Sequence, residues 1–234
     1  TEPAEALLRA ALERARASQG ADGAEALALA LSLGLNLSDQ GQPAEAVPLL
    51  EQVLTVHLAR QGEAARDTLT VRTNLAIARI RLGQRDAALH DFQEVLRLRR
   101  ATLGDEHPDT IGAITNAAST LGMLGRFDEA LVLQREGYAL NVRVRGAEHP
   151  ATLADGNNLA STLMQLGQVD EAIAILQAVL EARRRVLGPD HPQTLRTLVN
   201  LAAGLVRTGQ LDEAIAMQRD LLLRRERTLG PEHQ

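Results

Sequence analysis

The protein has 234 residues and a formal net charge of −5 at pH 7, which disfavours a dedicated nucleic-acid binder. It contains two Phe, one Tyr and no Trp, whereas a globular enzyme of this size usually needs aromatic side chains for its core and pocket walls. It has no Cys, which excludes disulfides and thiolate metal sites. Leu and Ala must therefore fill the core, and because both are good helix formers we predict an all-α protein.

Glycines at a constant spacing divide the sequence into short segments. Glycine accepts the left-handed backbone conformation that ends a helix, so each of these positions predicts a helix end. Alternate glycines lie in different surroundings, so the true repeating unit spans two of the segments. The glycines are Gly20, Gly41, Gly62, Gly83, Gly104, Gly125, Gly146, Gly167, Gly188, Gly209 and Gly230.

In chain order, the pattern predicts one opening helix over residues 3–18 and then five helical pairs. Ile111, Ile114 and Leu121 illustrate the helical spacing of apolar residues within one segment. We expect residues 1–234 to form a single solenoid without a linker, and we expect the natural array to continue past Gln234. The predicted pairs cover residues 24–60, 66–102, 108–144, 150–186 and 192–228.

A His-Pro dipeptide precedes the predicted first helix of the last three pairs, at His107, His149 and His191. Proline is favoured at the first position of a helix. Histidines that recur once per repeat are separated by a helix-packing distance of roughly 10 Å, whereas zinc needs its nitrogens about 2 Å from one point. We therefore interpret these histidines as helix caps and predict no metal site and no cofactor.

Small residues recur at two positions of each pair, and in every repeat the second is followed four residues later by a larger side chain. This pattern resembles the tetratricopeptide repeat, in the 42-residue kinesin-light-chain type that also occurs in bacterial multidomain signalling proteins. The resemblance implies a right-handed superhelical solenoid of antiparallel helix pairs. The small positions are Gly34, Ala76, Ala118, Ala160 and Ala202 in the first helices and Ala46, Ala88, Ala130, Ala172 and Ala214 in the second helices.

In that family the first helices line a concave groove, and Asn side chains in the groove grip the backbone of an extended ligand. The resemblance places a ladder of Asn there, with small or apolar residues around it and arginines on its flanks. The alternatives are that the Asn tie neighbouring repeats together and that the Arg are ordinary solvated surface. The expected partner-binding residues are Asn74, Asn116, Asn157, Asn158, Asn200, Ser119, Ser161, Met164, Arg81, Arg196 and Arg207.

The sequence thus predicts a protein- or peptide-binding scaffold, not an enzyme, since it contains no phosphate-binding loop or nucleophile motif. The basic flanks indicate an acidic partner, which is either a separate protein or a neighbouring domain of the parent polypeptide. The alternative is an architectural spacer or oligomerisation array, and the last helix, with Leu211 and Ile215 uncovered, is a candidate for self-association. Without a signal-peptide pattern or a long apolar run, we expect a cytoplasmic protein that binds neither membranes nor nucleic acid.

Overall fold

The computed structural model describes residues 2–229, which form eleven α-helices and no strand. The all-α fold class and the arrangement of one opening helix followed by five pairs are confirmed. Gly230 and His233, the last of the periodic glycines and of the histidines that recur once per repeat, lie outside the described residues. The helices are α1 (Glu2–Gln19), α2 (Ala24–Asp39), α3 (Pro43–Gln61), α4 (Arg66–Arg81), α5 (Arg85–Leu103), α6 (Pro108–Met123), α7 (Phe127–Arg145), α8 (Pro150–Gln165), α9 (Val169–Val186), α10 (Pro192–Arg207) and α11 (Leu211–Leu229).

The chain divides into two compact units at Leu124–Gly125. Unit 1 contains α1 to α6, and unit 2 contains α7 to α11. Within each unit every helix packs against the next one along the chain, and the first helices of successive pairs also contact each other, α2 with α4 and α8 with α10. Each unit is therefore a stack of helical pairs, whereas the single solenoid over residues 1–234 stays a prediction.

The ten periodic glycines within residues 2–229 all have positive φ angles, between 74° and 93°. Gly104 shows the consequence, because its N–H donates to the carbonyl of Arg100 at 3.1 Å and closes the last turn of α5. L-residues rarely adopt this conformation, so glycine ends each helix at low cost. The predicted helix ends are thus confirmed at these ten positions.

Three histidine side chains cap the first helices that follow them. In each case Nδ1 accepts a hydrogen bond from the backbone N–H two residues later, at 3.1–3.2 Å. The capping residues are His107, His149 and His191, so their interpretation as helix caps is confirmed. The earlier first helices α2 and α4 begin after Gly23 and Ala65, which provide no side-chain cap.

Buried threonines tie the helix ends to the caps. Thr152 Oγ1 donates to the carbonyl of Gly146 at 2.8 Å, and Thr194 Oγ1 donates to Gly188 at 2.9 Å. Both side chains are almost fully buried. The sequence shows that these threonines recur once per repeat. It does not predict their hydrogen bonds, because each acceptor lies on the other side of the turn.

The small positions are contact points between helices. Ala76, Ala118, Ala160 and Ala202 are at most 3% exposed. A Cβ atom added to Gly34 would lie 3.0 Å from Leu50 Cγ, which explains why glycine replaces alanine in the first repeat. Close approach of paired helices therefore depends on these side chains being small.

Candidate partner-binding faces

The outward side of the first helices α2, α4 and α6 is the first-helix face of unit 1. Asn74 lies on α4 and Asn116 lies on α6, and both are half-buried. Each follows an exposed residue of the same helix by one turn, Thr70 in α4 and Gly112 in α6, and so lies on the outward side. Within residues 2–229 neither Asn side chain hydrogen-bonds to the protein, and neither has a polar atom that is both buried and unpaired. Their amide groups therefore keep their hydrogen-bonding capacity at the surface.

Two glycines leave space on this face. A Cβ atom added to Gly112 or Gly122, both on α6, would meet nothing within 4 Å. Neither residue has a positive φ angle, so neither the backbone nor the packing requires glycine there. Ser119 lies between them and is half-buried. The small residues that the sequence predicts around the asparagines thus leave an open surface near Asn116 in unit 1.

Arg81 is occupied by a contact between first helices. Its Nη1 donates to Ser38 Oγ and to Asp39 Oδ1, both at 2.9 Å, at the C-terminal end of α2. The ion pair is exposed, with 41% of the Arg81 side chain and 77% of the Asp39 side chain accessible. Exposed pairs of this kind contribute little to stability, so Arg81 lies on the face but already has an acidic neighbour.

The first-helix face of unit 2 is the outward side of α8 and α10. Asn200 Nδ2 donates to Asn157 Oδ1 at 3.3 Å, and Asn157 is only 5% exposed. This pair joins α8 to α10, as expected if the asparagines tie repeats together. Asn158 is half-buried, and among residues 2–229 its side chain has no hydrogen bond to the protein. The asparagines of the ladder therefore fall into two kinds.

Arg207 reaches back to the end of the preceding first helix. Its Nη1 donates to the carbonyl oxygen of Met164 at 2.6 Å, close to the end of α8. The same carbonyl also accepts a hydrogen bond from the N–H of Gly167 at 3.2 Å, and a cation at this end of a helix interacts well with the helix dipole. Ser161 of α8 and Val199 and Val206 of α10 are also exposed and give the face a mainly apolar and neutral surface.

Arg196, on the first turns of α10, is exposed and has no hydrogen bond or ion pair within the described part of the chain. Its charge acts on the fully buried Arg183 of α9. Burial lowers the pKa of Arg183, and the nearby positive charge of Arg196 lowers it further. The end of the unit 2 face where α10 begins is therefore positively charged.

The last helix has an apolar exposed side. Leu211, Ile215 and Leu222 of α11 are 54%, 46% and 55% exposed. Leu211 and Ile215 belong to the surface that the sequence suggests for self-association. That association stays a prediction. None of the helices within residues 2–229 combines the length and the apolar character needed to cross a membrane. The same residues contain no cluster of three or more His, Asp or Glu side chains that could hold a metal ion.

Stacked helical pairs with small contact residues, glycine-ended helices and outward-facing amides define a helical-repeat scaffold. The family model of the tetratricopeptide repeat matches residues 67–141 and 151–227, and a second model of the same repeat matches residues 26–59. The chain belongs to the tetratricopeptide-repeat family. The fold of this family generally serves as a non-catalytic scaffold for protein–protein interactions. No curated protein sequence matches the chain.

Solved structures share the fold over most of the chain. One is a crystal structure from Podosopora anserina, described as kinesin-light-chain repeats that are TPR-like and nearly identical to one another. Its sequence is 28% identical to this chain, and the TM-score is 0.78. The match covers 86% of this chain and 96% of the other. BtubC (BKLC) from P. vanneervenii is 19% identical with a TM-score of 0.81, over 98% of this chain and 92% of its own. MamA from Desulfovibrio magneticus RS-1 is 17% identical with a TM-score of 0.65, and the match covers 86% of this chain and 96% of the MamA chain. The kinesin-light-chain-like repeat type is thereby confirmed.

Proposed function

We propose that the protein binds extended segments of a partner protein on its first-helix faces, where Asn74 and Asn116 in unit 1 and Asn158 in unit 2 hold the main chain. The observation that carries the proposal is that these three half-exposed amides have no hydrogen bond to the protein within residues 2–229. Asparagine is a weak helix former, so its recurrence inside helices without an internal partner needs a reason. A ligand that uses the amides supplies one.

A carboxamide suits a peptide main chain, because its NH₂ group donates two hydrogen bonds and its oxygen accepts. One Asn side chain can therefore contact both a carbonyl and an N–H of an extended segment. Gly112, Gly122 and Ser119 leave room for such a segment to approach α6 closely. Since the faces carry no aromatic anchor, the partner must contribute the larger apolar side chains, which exposed Ile77 and Val199 can meet.

The charge of the unit 2 face favours an acidic partner segment there. Arg196 has no acidic neighbour that pairs with it, and the guanidinium of buried Arg183 is a second positive charge that interacts with it. A carboxylate on the partner would be attracted to this end of the face, mainly through faster association at low salt. The partner is a separate protein or a neighbouring domain of the same polypeptide, whose activity the contact would then regulate.

The alternative is an array that serves only as a spacer or oligomerisation element. The hydrogen bond between Asn200 and Asn157 favours it, because there the amides stabilise the stack itself. The two functions differ in what the remaining asparagines do. A spacer needs no free amide at Asn74, Asn116 or Asn158, whereas a peptide-binding face does.

Selection from a random-peptide display library against the full chain tests the proposal. We expect enrichment of extended sequences that carry carboxylates and an aromatic or large apolar residue. Binding of the enriched peptides should weaken in Asn116→Ala and in Arg196→Ala, the latter mainly at low salt. Ser32→Ala is a matched control, because Ser32 occupies the equivalent position of α2 and its hydroxyl is already bonded to the carbonyl of Ala28. Enrichment of no sequence, or peptides insensitive to Asn116→Ala, would contradict the proposal.

A further inference from the structure

A cavity of about 340 Å³ opens in unit 1 where α2 and α4 begin and α3 ends. Ala28 and Leu31 of α2 give it an apolar wall, and Thr70 of α4 lies opposite. His57 of α3 and Asp67 of α4 supply its polar groups. Because Ala28 and Thr70 are exposed positions of the first helices, the cavity is continuous with the face that carries Asn74.

The next repeat builds a related recess between α4, α5 and α6, of about 350 Å³. Here Arg99 stands at the position equivalent to His57, and its Nη1 donates to the carbonyl of Asp109 at 3.0 Å. Burial lowers the pKa of Arg99, while the negative charge of the Asp109 carboxylate acts in the opposite direction. The lining of this recess includes neither Thr73 nor Gly112, the equivalents of Leu31 and Thr70.

Unit 2 places another guanidinium in the same register. Arg183 of α9 is fully buried, and its Nη1 donates to the carbonyl of Gln193 at 2.9 Å and to Thr197 Oγ1 at 2.6 Å. Its Nη2 donates to the carbonyl of Leu153 at 3.3 Å. In both repeats the arginine thus donates to a carbonyl ten residues further on, in the first turn of the following helix.

His57 cannot make this contact, because an imidazole is shorter than an arginine side chain. Within the described residues its Nδ1 is buried and has no hydrogen-bond partner. Asp67 lines this cavity at the position equivalent to Asp109, which lines the next recess beside Arg99. Arg60 also lines the cavity, and its Nη2 donates to the carbonyl of Asp22 at 2.9 Å. This recess therefore keeps the Asp67 acceptors of a guanidinium site, with His57 at the position that Arg99 occupies in the next repeat.

We infer that the cavity between α2, α3 and α4 binds an arginine side chain of the partner. The guanidinium would donate to the carbonyl of Asp67, would pair with the Asp67 carboxylate and would lie beside the His57 imidazole. The side chain's methylene groups would lie along Ala28 and Leu31. The inference rests on the proposed function only in placing the partner on the first-helix face.

A short peptide tests the cavity without the rest of the partner. The probe is acetyl-Gly-Arg-Gly-amide, and its control carries citrulline, which has the same shape without the charge. Titrated into the isotope-labelled full chain, the arginine peptide should cause saturable NMR shifts at Leu31, Thr70 and Val71, with a dissociation constant on the order of 1 mM for so small a contact. The citrulline peptide should bind several-fold more weakly. Equal binding of the two peptides, or no saturable shift, would overturn the inference.

Two variants sharpen the test. His57→Arg should abolish the shifts, because the new side chain can reach Asp67 as Arg99 reaches Asp109. Ala28→Leu should also abolish them by filling the cavity from α2, with little risk to folding since Ala28 is exposed. Saturable binding that survives in both variants would place the arginine elsewhere and contradict the inference.

Asn74→Ala separates this inference from the proposed function. The arginine peptide should bind this variant as it binds the wild type, because Asn74 does not line the cavity. If library peptides ignore the asparagines while the arginine peptide still binds, the proposed function fails and the cavity assignment stands. If the arginine peptide does not bind while library peptides depend on the asparagines, the reverse holds.

Discussion

Glycines inside the helices of this protein are of two kinds. At Gly156 an added Cβ atom would lie 2.8 Å from Val179 Cγ2 and 3.1 Å from Tyr138 Cε2, so two neighbouring helices occupy the space of a side chain. At Gly112 and Gly122 the same atom would meet nothing within 4 Å. The first kind is required by packing, whereas the second costs helix stability without a packing benefit.

Substitution by alanine should therefore have opposite effects at the two kinds of position. Gly156→Ala should destabilise the protein by about 1–3 kcal/mol through overpacking. Gly112→Ala should stabilise it by about 0.5–1 kcal/mol, because alanine favours the helix and its methyl group has space. Denaturant unfolding of the two variants measures both free energies, and a loss of stability in Gly112→Ala would contradict the open surface at that position.

The histidine caps give a second prediction at this scale. His149→Ala should cost about 0.5–2 kcal/mol, because the N–H of Ala151 loses its acceptor. His149→Asn should retain most of the stability, since asparagine is a good cap. In the opposite direction, Ala65→Asn should stabilise the uncapped start of α4. Thermal melts of the three variants check the order, and an unchanged melt for His149→Ala would show that the cap contributes nothing.

Among the helices, α3, α4 and α5 are joined by one arginine. Arg79 of α4 hydrogen-bonds to buried Asp91 of α5 and, at 2.7 Å, to Glu51 of α3. Leucine occupies the position equivalent to Arg79 in every other repeat, and Leu49, Leu133, Ile175 and Met217 stand at the position of Asp91. Burial raises the pKa of Asp91, and the positive charge of Arg79 partly offsets that increase. An ion pair thus replaces an apolar contact in this repeat alone.

Arg79→Leu should destabilise unit 1 by about 3 kcal/mol at neutral pH, because it leaves the Asp91 carboxylate buried without its partner. The pKa of Asp91 should then rise further, so the folded state would bind this proton more tightly than the unfolded chain. Stability of the variant should therefore fall as pH rises through that pKa and recover on acidification. Urea unfolding over a series of pH values measures this dependence.

The double variant Arg79→Leu with Asp91→Leu is the control. It restores the apolar pair of the other repeats and should be about as stable as the wild type, or more stable, at all pH values. A double variant as unstable as the single one would show that the ion pair is worth more than its apolar equivalent.

Helix positions were predictable from the sequence because the glycine period and the apolar spacing are local signals. The contacts between first helices were not. Arg81 contacts Ser38, Asn200 contacts Asn157 and Arg207 contacts Met164, and each pair is 43 residues apart, one more than the repeat. Stacked first helices are thus offset by one residue relative to the sequence register. That offset depends on packing, so the register alone could not pair Asn200 with Asn157 instead of Asn158.

In a repeat protein each pair contacts chiefly its neighbours, so damage should remain local. Ala160 is fully buried on α8, and Ala160→Leu should overpack the contact by about 1–3 kcal/mol. Hydrogen exchange should then accelerate in α8, α9 and α10 while α2 and α3 keep their protection. Unfolding of this variant should also cease to be two-state. A uniform loss of protection, or a single unchanged cooperative melt, would contradict local stability.

At the scale of the whole molecule, the sequence could predict which side chains face outward but not which of them are free. That distinction needs the partners of each amide, and these lie on helices far away in the chain. Asn200 is engaged with Asn157, whereas Asn158 has no such partner in the described residues. The two positions therefore form a matched pair for testing the role of the amides.

The most direct test measures both affinity for a selected peptide and free energy of unfolding on Asn158→Ala and Asn200→Ala. Asn158→Ala should change stability by no more than about 0.5 kcal/mol. It should weaken peptide binding by about 0.5–1.5 kcal/mol, up to roughly tenfold. Asn200→Ala should lower stability instead, because it leaves Asn157 Oδ1 without its donor. Lowered stability of Asn158→Ala with unchanged affinity per folded molecule would contradict a peptide-binding role for the free asparagines.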